Sequence, residues 1–513
     1  MNSTLNPPRV NIGTPWVFYV TLGAVGSLLF ARMLFSSKHK VNLPIVLADE
    51  YWSASKRAAM FVTSARKILW KGYREYPDKP WAYNNPETGL TVVIPPKFVD
   101  ALKSHPALSF KEFIDEDMLS HYTFFGAPPD SVINTIKGGL TPSLPEYVPV
   151  LHRLLQDNLF RYFGQHDDWE SFKPYTSVLQ LVGILGARAW HGEEACRNPE
   201  WVRASLAYMQ NVFSCIQYLK TYPTFLRGLV FRFSKQRKAI LNSFAEAKAM
   251  IAESIQKKQE KGGGFLSQPG SMFDLLSTGK HEAMATDADA QTLYQLIFVA
   301  VGTITTFGTI CQNLLDLADH PEYIEILREE ILEAERDEDG YLTKVALTGM
   351  KKMDSFMKEC ARLHGPTMST FQRVATNNME LPDGTFIPKG TALEAPVCCV
   401  HGDDSIHENA EQFDGLRFYR TRLLPGSEHK NQYITPSLSS LNFGYGRHAC
   451  PGRFLGDCIV KLVLSEVLLN YDIKLPEGRP RAKNVEVGII VFTDPMSEIM
   501  LKSKDSVSAT MKI

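Results

Sequence analysis

The sequence predicts a mainly α, α-rich α+β fold gathered into one large domain, and three observations carry that expectation. Helical periodicity dominates from about Ser53 to Arg74, from Pro149 to Ala252, and through a second block that ends near Leu363. Inside that second block, Ala290–Leu315 holds no charged residue, which suits a long helix buried through the middle of a large body. Short strand-like runs with turn signals lie towards both ends, where small sheets are expected.

In chain order, the first 40 residues stand apart. "WVFYVTLGAVGSLLFA" (16–31) is uncharged, and Met33–Phe35 extend it past Arg32. That makes about 20 residues, enough to cross a ~30 Å hydrocarbon core with Arg32 snorkelling to the interface. Lys38, His39 and Lys40 follow the stretch and Arg9 alone precedes it, so the positive excess favours leaving the rest of the chain in the cytosol. A cleaved signal peptide would want a basic start and a small-residue cleavage site, and neither stands out. The expected division is a lumenal tail (1–13), a single transmembrane anchor (14–35), a linker (36–49) broken at Pro44, and the main domain (50–513).

Within that domain "LTVVIPP" (90–96) reads as a strand and "KKQEKGGGFLSQPGS" (257–271) as a surface loop. Ala290–Leu315 is long enough for a second membrane span, but Gln291, Gln295, Gln312, Asn313 and five threonines punctuate it. Thr286 with Asp289 resembles a helix N-cap, and His320-Pro321 ends the element. A helix buried in protein is the expectation. "FQRVAT" (371–376), "MELPDGTFIPKGT" (379–391) with its Asp-Gly turn, and "VGIIVFT" (487–493) read as short strands.

Charge is balanced, with 55 Lys and Arg against 56 Asp and Glu, so there is no basic footprint for nucleic acid. The eight cysteines form no CxxC pair, which argues against a zinc ribbon or a disulfide scaffold and fits a reducing compartment.

One of those cysteines has unusual surroundings. In "NFGYGRHACPGRF" (442–454), Cys450 follows a crowded His448 and Arg447 and precedes Pro451 and Gly452. Gly446 allows a tight turn, Pro451 suits the first position of a helix, and Gly452 permits close backbone approach. Leu455, Cys458, Ile459, Leu462 and Val463 then recur at helical spacing, so Cys450 should stand at a helix N-terminus, whose dipole favours a thiolate. Thiolates bind soft metals and haem iron.

The pattern Phe443-x-x-Gly446-x-His448-x-Cys450-x-Gly452 resembles the haem-ligand signature of the cytochrome P450 family. The resemblance implies that fold, haem b with Cys450 as the axial ligand to iron, and Phe443 against the macrocycle. It implies that Glu359 and Arg362 of "KECAR", with Arg417 of "FDGLRF", form a structural ion network behind the haem. Arg373 and His448 match positions that reach the haem propionates. Along the buried helix, Val301-Gly302-Thr303-Ile304-Thr305-Thr306 aligns with the family's oxygen-handling motif. Gly302 would leave space for dioxygen or substrate, and Thr305 would help deliver protons, with Thr303 or Thr306 assisting. Ile304 departs from the pattern, because the family usually places an acid there and a branched alkyl group cannot relay a proton.

NADPH-derived electrons are implied through NADPH–cytochrome P450 reductase, with cytochrome b5 as a further partner, docking on a surface that Arg447, Arg453 and Lys461 would line. Analogy places the pocket among residues 110–130, 210–225, 298–305, 365–369 and 491–493. "IPPKFVDALKSHPALSF", "DLADHPEYIEILREEI" and "LLNYDIKL" look most like membrane-anchored fungal enzymes, held in the endoplasmic reticulum with a cytosolic catalytic domain. Such enzymes oxidise terpenoids, indole diterpenes, alkaloids or polyketides. The alternatives are oxidative coupling, desaturation or isomerisation without oxygen insertion, or a binding protein on a degenerate haem-enzyme fold.

Overall fold

The helix Ala288–Asp319 runs through the centre of the protein and the other helices are laid around it. The computed structural model describes residues 41–260 and 270–504, so the expected tail (1–13), anchor (14–35) and part of the linker and loop lie outside the described residues. The central helix is capped by Asp287 rather than Thr286, through bonds from the backbone N–H groups of Asp289 and Ala290 at 3.0 Å each. Among the described residues it is the one helix long and apolar enough to cross a membrane, yet more than half of its apolar stretch is buried in protein. Some of its polar groups find protein partners, the Gln291 amide donating to Ser277 Oγ at 3.0 Å and that of Gln312 to Thr493 Oγ1 at 3.0 Å, while Gln295 Oε1, Thr303 Oγ1 and Asn313 Oδ1 are buried without one. The buried-helix expectation holds.

Pro174–Trp190, Pro199–Lys220, Lys351–His364 and Arg453–Asn470 pack against this axis. A five-stranded sheet lies to one side, in the order Trp81–Asn85, Gly89–Val93, Ala392–Ala395, Thr370–Ala375, Leu108–Ser109. Gly89–Val93 and Ala392–Ala395 run parallel, and the remaining neighbours are antiparallel. A small hairpin forms at the Asp-Gly turn, Met379–Glu380 with Phe386–Ile387, whereas the run 487–493, expected as one strand, is broken by a turn at Gly488 into the hairpin Val485–Val487 with Ile490–Phe492. The described part of the expected linker is already bound to the domain: Val46 is buried and its N–H donates to the Ala82 carbonyl at 2.9 Å.

Candidate active site

The loop before Arg453–Asn470 is shaped by two glycines in the left-handed region, Gly444 at φ 71° and Gly446 at φ 69°. A Cβ on Gly446 would stand 2.9 Å from Lys103 Cβ, so the turn is closed on both conformational and steric grounds. The Cys450 N–H donates to the Phe443 carbonyl at 2.8 Å, which folds the loop back on itself. Phe443 packs edge-on to Tyr433 at 5.0 Å between centroids. Gly452 is the N-cap of the helix that follows, so Pro451 lies before the helix instead of opening it. A Cβ at Gly452 would meet no protein atom within 4 Å, and the close approach expected there is not made to protein.

Burial pushes the Cys450 thiol up, while the backbone N–H groups of Gly452 and Arg453 pull the other way and lose. The helix N-terminus therefore acts in the expected direction but does not by itself make a thiolate. A bound cation does, which fits iron at this sulfur.

Behind the cysteine loop the three-residue ion network forms as expected. Glu359 is fully buried and takes two parallel bonds from Arg362, at 2.8 and 2.7 Å, and two from Arg417 Nε, at 3.2 Å each. Arg362 spends its remaining donors on the carbonyls of His401 and Ala410, both at 2.6 Å, and of Gln412 at 3.3 Å. The carboxylate also accepts from the Asp414 N–H at 3.0 Å. One carboxylate serves both guanidinium groups, and backbone carbonyls take up the donors it leaves over.

Arg373 is different. It is 4% exposed on the strand Thr370–Ala375, and among the described residues no carboxylate pairs with it. One of its nitrogens donates to the Gln372 carbonyl at 2.7 Å. Burial, then repulsion from Arg447, pulls its guanidinium down to about 10. His448 lies nearby, pushed down to about 4 by burial first and then by Arg373 and Arg447. Its Nε2 accepts from Arg447 Nε at 2.9 Å, which leaves Nδ1–H as the donor. A buried cation beside a neutral donor, without an acid, is the chemistry a ligand carboxylate would complete. The residues present fit haem.

On the central helix the structure separates residues that the motif had grouped. Val301 is 48% exposed in the middle of a buried element, and Thr305 is exposed beside it, so this stripe faces open space. A Cβ at Gly308 would likewise meet nothing within 4 Å. Thr305 Oγ1 donates to the Val301 carbonyl at 3.0 Å. Gly302 turns away from that face: a Cβ there would fall 2.7 Å from Trp190 Cζ2. Its smallness serves packing against Pro174–Trp190, not room for dioxygen. Thr303 and Thr306 are buried as well, Thr303 near Gly186 and Thr306 near Gly456, so neither assists from the cleft.

Three further expectations are corrected. Lys461 lines no surface: it is 1% exposed and bonds Asp354 at 2.9 Å and Asp457 at 3.0 Å. Arg453 is half-buried and donates to the Cys450 carbonyl at 2.6 Å, leaving Arg447 as the exposed cation of the three. Phe298, Ser369 and Thr493 are buried rather than open to the cleft, Phe298 against Trp190. Sequence reasoning missed Asn442, whose amide ties the loop to the Ala361 carbonyl at 2.9 Å, and the rings of Phe110 and Phe371 around Arg373. The sheet register, which pairs Ser109 with Val374, was the one signal for Phe110, and it is visible only in the fold.

The Cytochrome P450 family model matches residues 191–501, more than half of the chain. The chain belongs to the cytochrome P450 family. It is 29% identical over 94% of its length to the cytochrome P450 monooxygenase AN1598 of Emericella nidulans, covering 92% of that protein. It is 31% identical over 86% of its length to the cytochrome P450 monooxygenase BOA4 of Botryotinia fuckeliana, covering 89% of it. Among solved structures, a cyanobacterial CYP120A1 bound to retinoic acid superposes with a TM-score of 0.66 at 16% identity, over 87% of this chain and 96% of that one. The P450 fold, a haem b cofactor, a reductase as electron source and monooxygenase chemistry on a hydrophobic substrate follow from this membership.

Proposed function

We propose that this P450 hydroxylates, or oxidises in a related way, an apolar small molecule of fungal secondary metabolism, of the terpenoid, indole diterpene, alkaloid or polyketide kind. The observation that carries the site assignment is a half-buried Cys450, set just before a helix N-terminus, together with a buried Arg373 that has no carboxylate partner among the described residues. Cys450 would hold the iron, Arg373 and His448 Nδ1 the propionates, and Phe443, on the cysteine loop, the ring. Haem bound through a thiolate supplies dioxygen binding and O–O cleavage, with electrons passed singly from NADPH by the reductase.

The chain's own residues do the rest. Val301 and Ile304 present an apolar wall that holds an apolar substrate by exclusion of water. Thr305 Oγ1 donates its proton to the Val301 carbonyl, so its lone pairs are free to accept from and orient a water, whose other proton can then be delivered. Arg447 offers a positive contact to an acidic redox partner, the reductase or cytochrome b5. The uncharged stretch at 14–35 would anchor the enzyme in the endoplasmic reticulum with its domain in the cytosol.

Ile304 supports a second reading. With an alkyl group at that position and Thr303 and Thr306 turned inward, Thr305 is the one hydroxyl of the motif on the open face. Oxidative coupling, desaturation or isomerisation asks for no oxygen in the product. Turnover with isotopically labelled dioxygen separates the two: label in the product supports hydroxylation, and an unlabelled product of altered bonding assigns the enzyme to the second reading.

A further inference from the structure

Arg373 is bracketed by two aromatic rings. Its guanidinium carbon lies 4.5 Å from the centroid of Phe371 and 5.2 Å from that of Phe110. Each ring is delivered by a specific feature of the backbone. Phe371 is buried at φ 55°, in the left-handed region, where the register of Thr370–Ala375 against Ala392–Ala395 shifts. Glycine would satisfy that backbone without strain, yet a phenylalanine occupies it with its ring against the arginine. Phe110 opens the helix that follows Ser109, and Ser109 pairs with Val374, so the next residue stands beside Arg373. The same ring reaches His448, at 5.6 Å between centroids.

We propose that Phe371 and Phe110 are positioning residues that clamp the Arg373 guanidinium by its faces, leave its N–H edge for a carboxylate of the haem, and thereby set how firmly haem is retained. Rings on a buried cation stabilise it where no carboxylate does, so the arginine stays charged and fixed before the ligand arrives. Among the described residues one protein acceptor, the Gln372 carbonyl, occupies one of its nitrogens, and the rest of the fork is unspent. The inference rests on the haem-binding reading above and assigns no part in the oxygen chemistry to either ring.

The test is the rate at which the full-length holoprotein gives up haem to excess apomyoglobin, compared with the same protein reconstituted with haem dimethyl ester. The ester lacks the propionate charges. Wild type should release the ester about tenfold faster than haem. Phe371→Gly, which suits the backbone but deletes the ring, should release haem about tenfold faster than wild type and the ester at the wild-type ester rate. Phe371→Trp should restore slow release. Phe110→Leu, at a half-buried helix start that should fold readily, carries the same expectation with an effect of about threefold. Faster loss of haem and ester by an equal factor, or no change in either variant, overturns the clamp. A wild-type protein that shows no thiolate-haem spectrum overturns the haem reading itself, and the two failures are told apart by that spectrum.

Discussion

Two buried arginine sites lie close to the cysteine loop, and they are built on opposite plans. Around Glu359, a carboxylate, two guanidinium groups and a ring of backbone carbonyls use one another up, so nothing remains for a ligand. Around Arg373, an equally buried guanidinium meets aromatic rings and a neutral histidine but, among the described residues, no acid partner. The central helix shows a different contrast, of packing, on its two sides. Gly302, Thr303 and Thr306 are packed into the protein, while Val301, Thr305 and Gly308 face open space. Buried polarity that is fully matched holds a fold together, and buried polarity that is left unmatched marks where something else must bind.

The largest effect should come from the matched site. Glu359→Gln leaves two arginines without their counter-charge and should cost roughly 3–5 kcal/mol in denaturant unfolding of the holoprotein. A loss below about 1 kcal/mol would mean that the network is not the structural member of the pair. On the open side, Thr305→Ala should leave unfolding within about 0.5 kcal/mol of wild type but lower product formed per NADPH consumed by roughly a hundredfold. Unchanged coupling would remove Thr305 from the proton path and strengthen the reading without oxygen insertion.

Gly302→Ala tests the division of the central helix. A methyl group 2.7 Å from Trp190 Cζ2 should destabilise by about 1–3 kcal/mol, and a smaller ring in Trp190→Phe should recover part of it. If Gly302→Ala is neutral in stability but alters turnover, the glycine belongs to the cleft after all. A small change in stability, and the most telling in sign, is expected of Arg373→Met. In the haem-free protein it should be neutral or stabilising by about 1 kcal/mol, because it removes a buried charge with no acid partner. With haem bound, the same change should lower thermal stability. One sign in both states would erase the contrast between the two arginine sites.

Much of this was legible in the sequence because it depends on short-range spacing. The turn at Gly446, the helix after Cys450 and the Glu359–Arg362 pair all lie within a few residues of one another, where backbone geometry dictates the outcome. The long central helix was legible for the same reason: an uncharged run broken by amides reads as buried in protein. What could not be read was which way each side chain faces once helices pack. Gly302 and Thr305 are three apart on one helix, and only Trp190 on another element decides that the first is closed off. Lys461 reads as a surface cation in sequence because Asp354, which completes its pairing beside Asp457 on its own helix, comes from another helix. Phe110 is distant in sequence and meets Arg373 through a sheet register that sequence periodicity does not encode, while Phe371, two residues from Arg373, takes its place through a left-handed backbone that the strand pattern does not signal.

The central claim is that Cys450 holds haem as a thiolate in a site whose remaining unmatched charge is Arg373. Its most direct test is the carbon monoxide difference spectrum of the reduced full-length protein beside Cys450→Ser. A strongly red-shifted Soret band in wild type that is lost in the folded variant is the predicted result. A folded wild-type protein without that band, or a variant that keeps it, would contradict the account.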